Sequence, residues 1–180
     1  LPSPLFHEGG GVESNGQGLL IACEVLLRSR NPGLSRAELE RLQMALPGVR
    51  RVVWLPDGLA HDPHLRGTIT GPYVAWGAGG HTDEFVRFAD ERTVLLAWPD
   101  ENHPVARLSR HRMLRNLAVL STATDERGRR LRIVKVPMPR IVQRRVVVSP
   151  EPDNGRSEHW SLDTFAPQEG RRGGDALWQV

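Results

Sequence analysis

Residues Gly79-Gly80-His81-Thr82-Asp83-Glu84-Phe85-Val86-Arg87-Phe88, followed beyond Asp90-Glu91-Arg92 by Thr93-Val94-Leu95-Leu96-Ala97-Trp98, decide how the rest of the chain is read. Asp83 to Phe88 and Thr93 to Trp98 predict a pair of strands around a polar turn. Downstream, Leu108, Met113, Leu117 and Leu120 recur at helical spacing, so Val105 to Leu120 reads as a helix, and Leu131 to Val136 as another strand closed by Pro137-Met138-Pro139. The order is strand, strand, helix, strand.

Working towards the N-terminus, the same order returns. Leu5 to Glu13 reads as a strand broken by glycines, and Asn15-Gly16 as a tight hairpin turn. Leu19 to Leu27 is a mostly apolar run of strand length, ended by Asn31-Pro32-Gly33. Ser35 and Glu38 form a capping box, with Leu39, Leu42, Ala45 and Leu46 as the core-facing stripe of the helix it opens. Pro47-Gly48 ends that helix, and Val49 to Leu55 supplies the strand before the Pro56-Asp57-Gly58 turn. Residues His61 to Ala78 lack periodicity and read as a long loop. The repeat is one of architecture, not of residues. Such units bury their faces only by stacking on neighbours, and two alone leave strand edges open. A homo-oligomer, or a larger assembly, is the expectation that follows. Beyond Val146 to Val148, a further short strand, the sequence turns polar and rich in turn residues, so residues 150–180 read as a divergent, flexible tail after a domain spanning 1–149.

Composition narrows the classes of function. With 180 residues, 39% hydrophobic and 25% charged, the chain is long and apolar enough for one packed core. A single cysteine allows no internal disulfide and fits a reducing compartment. No apolar run approaches the roughly 20 residues of a membrane span, and no leader opens the sequence, so a cytoplasmic location without membrane association is expected. The net charge of +3 and pI near 9.9 raise the question of nucleic acid. The basic residues are nearly all arginine, with Lys135 the single lysine, and they are scattered. Arg28, Arg30, Arg36, Arg41, Arg50 and Arg51 alternate with Glu24, Glu38 and Glu40, which reads as solvated surface rather than a nucleic-acid footprint.

The chemistry-bearing residues lie beside glycines. On extended backbone His81 and Asp83 project to one face, and a histidine next to a carboxylate suits general acid–base work. Glu8-Gly9-Gly10-Gly11 places a carboxylate where backbone can approach a ligand closely. Solvated loop ends are the ordinary alternative for both. His61, Asp62 and His64, together with His81 and Asp83, make a competing constellation for a metal-dependent hydrolase, at a spacing that matches no standard zinc site. Cys23, between Ala22 and Glu24, reads as a small buried hydrophobe rather than an activated thiolate.

In order along the chain, Glu8-Gly9-Gly10, Asn31-Pro32-Gly33-Leu34-Ser35, Val53-Trp54-Leu55-Pro56-Asp57-Gly58, and Gly80-His81-Thr82-Asp83-Glu84-Phe85 resemble the agmatine deiminase family, which includes the bacterial peptidylarginine deiminases of the guanidine-modifying, pentein-fold group. The resemblance runs from about Leu5 to Pro139. It implies an α/β propeller of which this chain supplies two to three of five blades. It implies hydrolysis of a guanidinium to a ureido group and ammonia without a cofactor, on agmatine (a putrescine-forming route) or an arginine side chain. Glu8 and Asp83 then bind the guanidinium, and His81 is the acid–base group. The family's nucleophilic cysteine sits in a glycine-rich C-terminal segment that has no counterpart here, and Cys23 stands where the family usually has threonine or a similar residue. A further family aspartate lies ahead of Glu-Gly-Gly, and Gly79 stands where the family often has aspartate. Residues 61–78 look like an insertion, and the family pattern ends near Pro150. The expectation is a fragment of a deiminase, inactive alone; the alternative is a non-catalytic guanidinium-binding or interaction module.

Overall fold

A computed structural model describes residues 4–64, 67–147 and 175–179. The two strand-strand-helix-strand units are both present. In the first, β1 (Val12–Ser14) pairs antiparallel with β2 (Leu19–Cys23), the chain passes through α1 (Glu24–Arg30) and α2 (Arg36–Met44), and β3 (Arg51–Leu55) returns parallel to β2. After β4 (Gly67–Thr70) and β5 (Tyr73–Ala75), the second unit repeats the path: β6 (Val86–Phe88) antiparallel to β7 (Thr93–Trp98), then α3 (Pro104–Thr122), then β8 (Arg132–Pro137) parallel to β7. Both parallel pairs are joined through helices, as a parallel crossover requires.

The units share one core. Leu19, Ile21, Val53 and Leu55 of the first sheet pack with Val86, Val94 and Leu96 of the second and with Met113 and Leu120 of α3. Polar ties add register between them. Asn15 donates to the Glu91 carbonyl (2.9 Å) and to Glu126 (3.0 Å), while Glu13 accepts from Arg87 and from the Phe88 amide.

Several sequence expectations are corrected. The apolar run Leu19 to Leu27 is not one strand: it breaks at Cys23, and α1 begins at Glu24, where an acidic residue in the first turn and Arg28 and Arg30 in the last complement the helix dipole. An apolar run carries no period of its own, so strand and buried helix look alike in it. The capping box is present, Ser35 accepting from the Glu38 amide and Glu38 from the Ser35 amide, yet α2 buries Leu39 and Gln43 and leaves Leu46 exposed. Residues 61–78 are not a structureless loop, since β4 and β5 form an antiparallel hairpin around Gly71, whose φ is +52°. Instead of a strand over Leu5 to Glu13, Gly9–Gly11 forms a 3-10 turn, and Thr82–Glu84 forms another ahead of β6. At the C-terminal end, β9 (Gln143–Val147) and β10 (Asp175–Gln179) are strands: β10 pairs antiparallel with β9 and parallel with β5. Within the segment read as a flexible tail, 175–179 is thus strand, and 150–174 lies outside the described residues.

The stripe of α3 that faces inward is Val105, Ala106, Ser109, Met113, Asn116 and Leu120. The spacing-based reading missed Ser109 and Asn116 because they are polar. Their hydrogen bonds explain their burial. Ser109 Oγ accepts from the Ala60 amide (2.9 Å), and Asn116 both accepts from the Asp57 amide (3.3 Å) and donates to the Asp57 carbonyl (2.7 Å). Arg112 donates to the Leu59 carbonyl at 3.0 Å. One helix thus holds the backbone of the 57–60 segment, which leads directly into Asp62.

Candidate functional site

Three segments meet: the Glu8-Gly9-Gly10-Gly11 strip, the end of α1 at Arg30, and the Gly79–Asp83 turn. Glu8, His81 and Asp83, chosen from sequence, come together here. His81 Nε2 lies 2.9 Å from Glu8 Oε2, and His81 Nδ1 lies 3.6 Å from Asp83 Oδ1. They meet without the extended backbone expected of them. His81 stands just before the Thr82–Glu84 3-10 turn, and Thr82, fully buried, donates from Oγ1 to the Gly11 carbonyl at 2.7 Å. That bond fastens the turn to the Glu8 strip. Gly10 closes the contact: a Cβ there would lie 2.4 Å from His81 Nδ1 and under 3 Å from both Asp83 carboxylate oxygens. Only glycine lets the strip pass so near.

The hydrogen-bond pattern assigns the imidazole nitrogens. A ring nitrogen 2.9 Å from a carboxylate carries its proton there, so Nε2–H donates to Glu8. Nδ1, at 3.6 Å, is too far from Asp83 for a hydrogen bond. Glu8's other oxygen accepts from Arg30 Nε at 2.9 Å, and this bond, reinforced by His81, holds the Glu8 carboxyl below its ordinary value. Glu8 stays an anion, which fixes both the position of the imidazole and the nitrogen that carries its proton. Asp83 is 40% exposed at its side chain and is the carboxylate open to an incoming cation.

Arg30 was read from sequence as solvated surface, and that is corrected: its side chain is only 16% exposed. Besides Glu8 it donates to the Ala78 carbonyl (2.6 Å) and contacts His64 Nδ1. No spacing rule marks it out from its neighbours Arg28 and Arg36. Asp62 is the second residue whose role was missed. It is buried and turned towards backbone amides, not towards the histidines of the metal reading. His61 sits by Ser109 (3.4 Å), His64 by Arg30 and His81 by Glu8. Among the described residues no group of three His, Cys, Asp or Glu is placed to hold a metal ion. Of the constellation read for a metal-dependent hydrolase, His81 and Asp83 adjoin while His61 and His64 have other partners, so no three of its members are assembled among the described residues. Cys23 is buried beneath the same turn, 3.2 Å from where a Cβ on Gly80 would sit, and burial pushes its thiol up to about 11.

Residues 1–159 match the family described as Porphyromonas-type peptidyl-arginine deiminase. The chain belongs to this deiminase family. It is 36% identical over 135 residues to an agmatine deiminase of Stutzerimonas stutzeri, covering 73% of this chain and 32% of the relative, and 35% identical over 138 residues to an agmatine deiminase of Pseudomonas fluorescens, covering the same shares. Among solved structures, the agmatine deiminase of Enterococcus faecalis superposes with a TM-score of 0.61 at 24% identity, over 93% of this chain and 40% of that one. A Campylobacter jejuni agmatine deiminase gives 0.54 at 21% identity, over 77% and 35%. These likenesses establish a deiminase-type mixed α/β fold for this chain. The chain spans about a third of the length of the curated relatives named here.

Proposed function

We propose that this deiminase-family chain carries the guanidinium-binding and proton-handling residues of a guanidine hydrolase, and that its two strand-strand-helix-strand units correspond to blades of a five-bladed α/β propeller. The observation that supports the reading is the convergence of Glu8, His81 and Asp83 on Gly10. A carboxylate accepts paired N–H donors in a fork, so the exposed Asp83 suits a planar guanidinium. His81 Nδ1, on the same side, suits protonation of a departing amine and later activation of water. Glu8, already engaged by Arg30 and His81, serves in this reading chiefly to orient and ionise the pair. The substrate is a guanidine of the agmatine or arginine side-chain class, by family.

Covalent hydrolysis also needs a nucleophile. The sequence has one cysteine, and Cys23 is buried with its thiol near 11. A thiol held neutral is a poor nucleophile. The proposal is therefore that the isolated chain binds guanidines without turning them over, and the same observation favours the second reading, a guanidinium-binding module. Calorimetry with agmatine and with an arginine amide, alongside an ammonia-release assay, tests both. Binding lost in Asp83→Asn with no turnover is expected. Binding that survives Asp83→Asn sinks the site assignment, and turnover by the isolated chain sinks the inactivity.

A further inference from the structure

Asp62 is buried to 4% exposure, and its carboxylate is spent almost wholly on backbone. Oδ1 accepts from the amides of Ala78 and Gly79 (the latter at 3.1 Å), and Oδ2 from those of Gly80 (2.5 Å) and His81 (3.0 Å). Four successive N–H groups thus converge on one anion, a concavity that needs left-handed backbone, supplied by Gly79 at φ +96° and Gly80 at +100°. A carboxylate is the side chain that fits, having two acceptor oxygens and no donor. The approach is close enough that a Cβ on Gly77 would lie 2.0 Å from Asp62 Oδ1. Burial, and then the charge of Asp62, pushes the Glu84 carboxyl just past the turn up to about 7.

The last of the four amides belongs to His81 itself. We infer that Asp62 is a positioning residue of this site: by gripping the 78–81 backbone it sets the direction from which the His81 ring meets Glu8. The inference deepens the reading of His81 as the proton-handling group and rests on it for its functional meaning, but the contact it governs is measurable without any substrate. The grip also operates across the β4–β5 hairpin, since Asp62 precedes that excursion and Ala78 to His81 follow it. Holding the two ends together is what keeps the excursion from displacing His81. In Asp62→Asn, one of the two acceptors becomes an NH2 facing two N–H donors, so the turn must rotate away from it.

The test uses the full chain, 15N-labelled, with long-range proton–nitrogen spectra of the histidine rings recorded for wild type, Asp62→Asn and Gly77→Ala, and thermal unfolding followed in parallel. Glu8→Gln shows what the His81 ring looks like when its partner loses its charge. Expected is a cooperative melt in both variants, with loss of the Nε2–H pattern that Glu8 imposes on His81. Agmatine affinity should fall along with it, since Asp83 is carried on the same turn as His81. A folded Asp62→Asn or Gly77→Ala whose His81 ring pattern matches wild type overturns the inference, because a purely structural loss leaves that pattern intact. Should Asp62→Asn fail to fold, Gly77→Ala decides, since it displaces the carboxylate without removing it. If wild type binds no guanidine while the ring pattern still answers to Asp62, the proposed function falls and the positioning role stands.

Discussion

Replacing Glu8 by glutamine separates its charge from its shape. Its two oxygens accept one hydrogen bond each at 2.9 Å, from Arg30 and from His81, with side chains 27%, 16% and 22% exposed respectively. Charge-assisted bonds of this kind contribute about 1.5–3 kcal/mol when well buried and about 0–1 kcal/mol at the surface. For a partly solvated pair in which glutamine keeps one acceptor, a loss of about 1–2 kcal/mol near neutral pH is expected. The pH dependence is the sharper test. Arg30, then His81, holds the folded-state carboxyl below its ordinary 4.5, so the stabilisation is fully present above that value and is lost as pH falls through the lower, folded one. Urea unfolding of both proteins in steps from about pH 7 to about pH 3 should show a constant gap down to the ordinary carboxylate range and a closing gap below it. A gap that is absent at neutral pH, or unchanged through the acid range, would refute the pairing of Glu8 with Arg30 and His81.

Two further outcomes are expected. Gly80→Ala places a side chain at φ +100° against Cys23 and Gly58, and should cost more than about 1 kcal/mol by chemical denaturation; a neutral change would mean the turn is not held as described. Cys23, buried with its thiol near 11, should resist a thiol reagent at mildly alkaline pH until the protein unfolds, and prompt labelling of the native chain would contradict its burial.

How much of this was legible beforehand depended on whether a local rule governed the residues concerned. Thr93–Trp98 carries enough β-forming apolar residues between turn signals to announce its own limits, and Ser35 with Glu38 announces a helix start. Gly10, His81 and Asp83 were readable as residue types but not as conformers, because a three-residue 3-10 turn has no period to detect. Ser109 and Asn116 were invisible as interior residues, since their burial follows from carbonyls and amides far along the chain. Asp62 was noticed for the wrong chemistry. Nothing in its neighbourhood distinguishes a carboxylate bound for a metal from one bound for peptide N–H groups, because the latter belong to every residue.

The Asp62 clamp also changes what the stretch between its jaws must do. With residue 62 joined to 78–81, chain length in between is decoupled from the geometry of the turn, and each doubling of such an excursion adds only about 0.6 kcal/mol of closure entropy. The β4–β5 hairpin is in this sense an attachment on a fixed bracket: it can be shortened, lengthened or exchanged for another sequence while the bracket, three residues of α3 behind it and one threonine in front, keeps its shape. Variation among related chains should therefore concentrate there, beside the site and yet mechanically outside it.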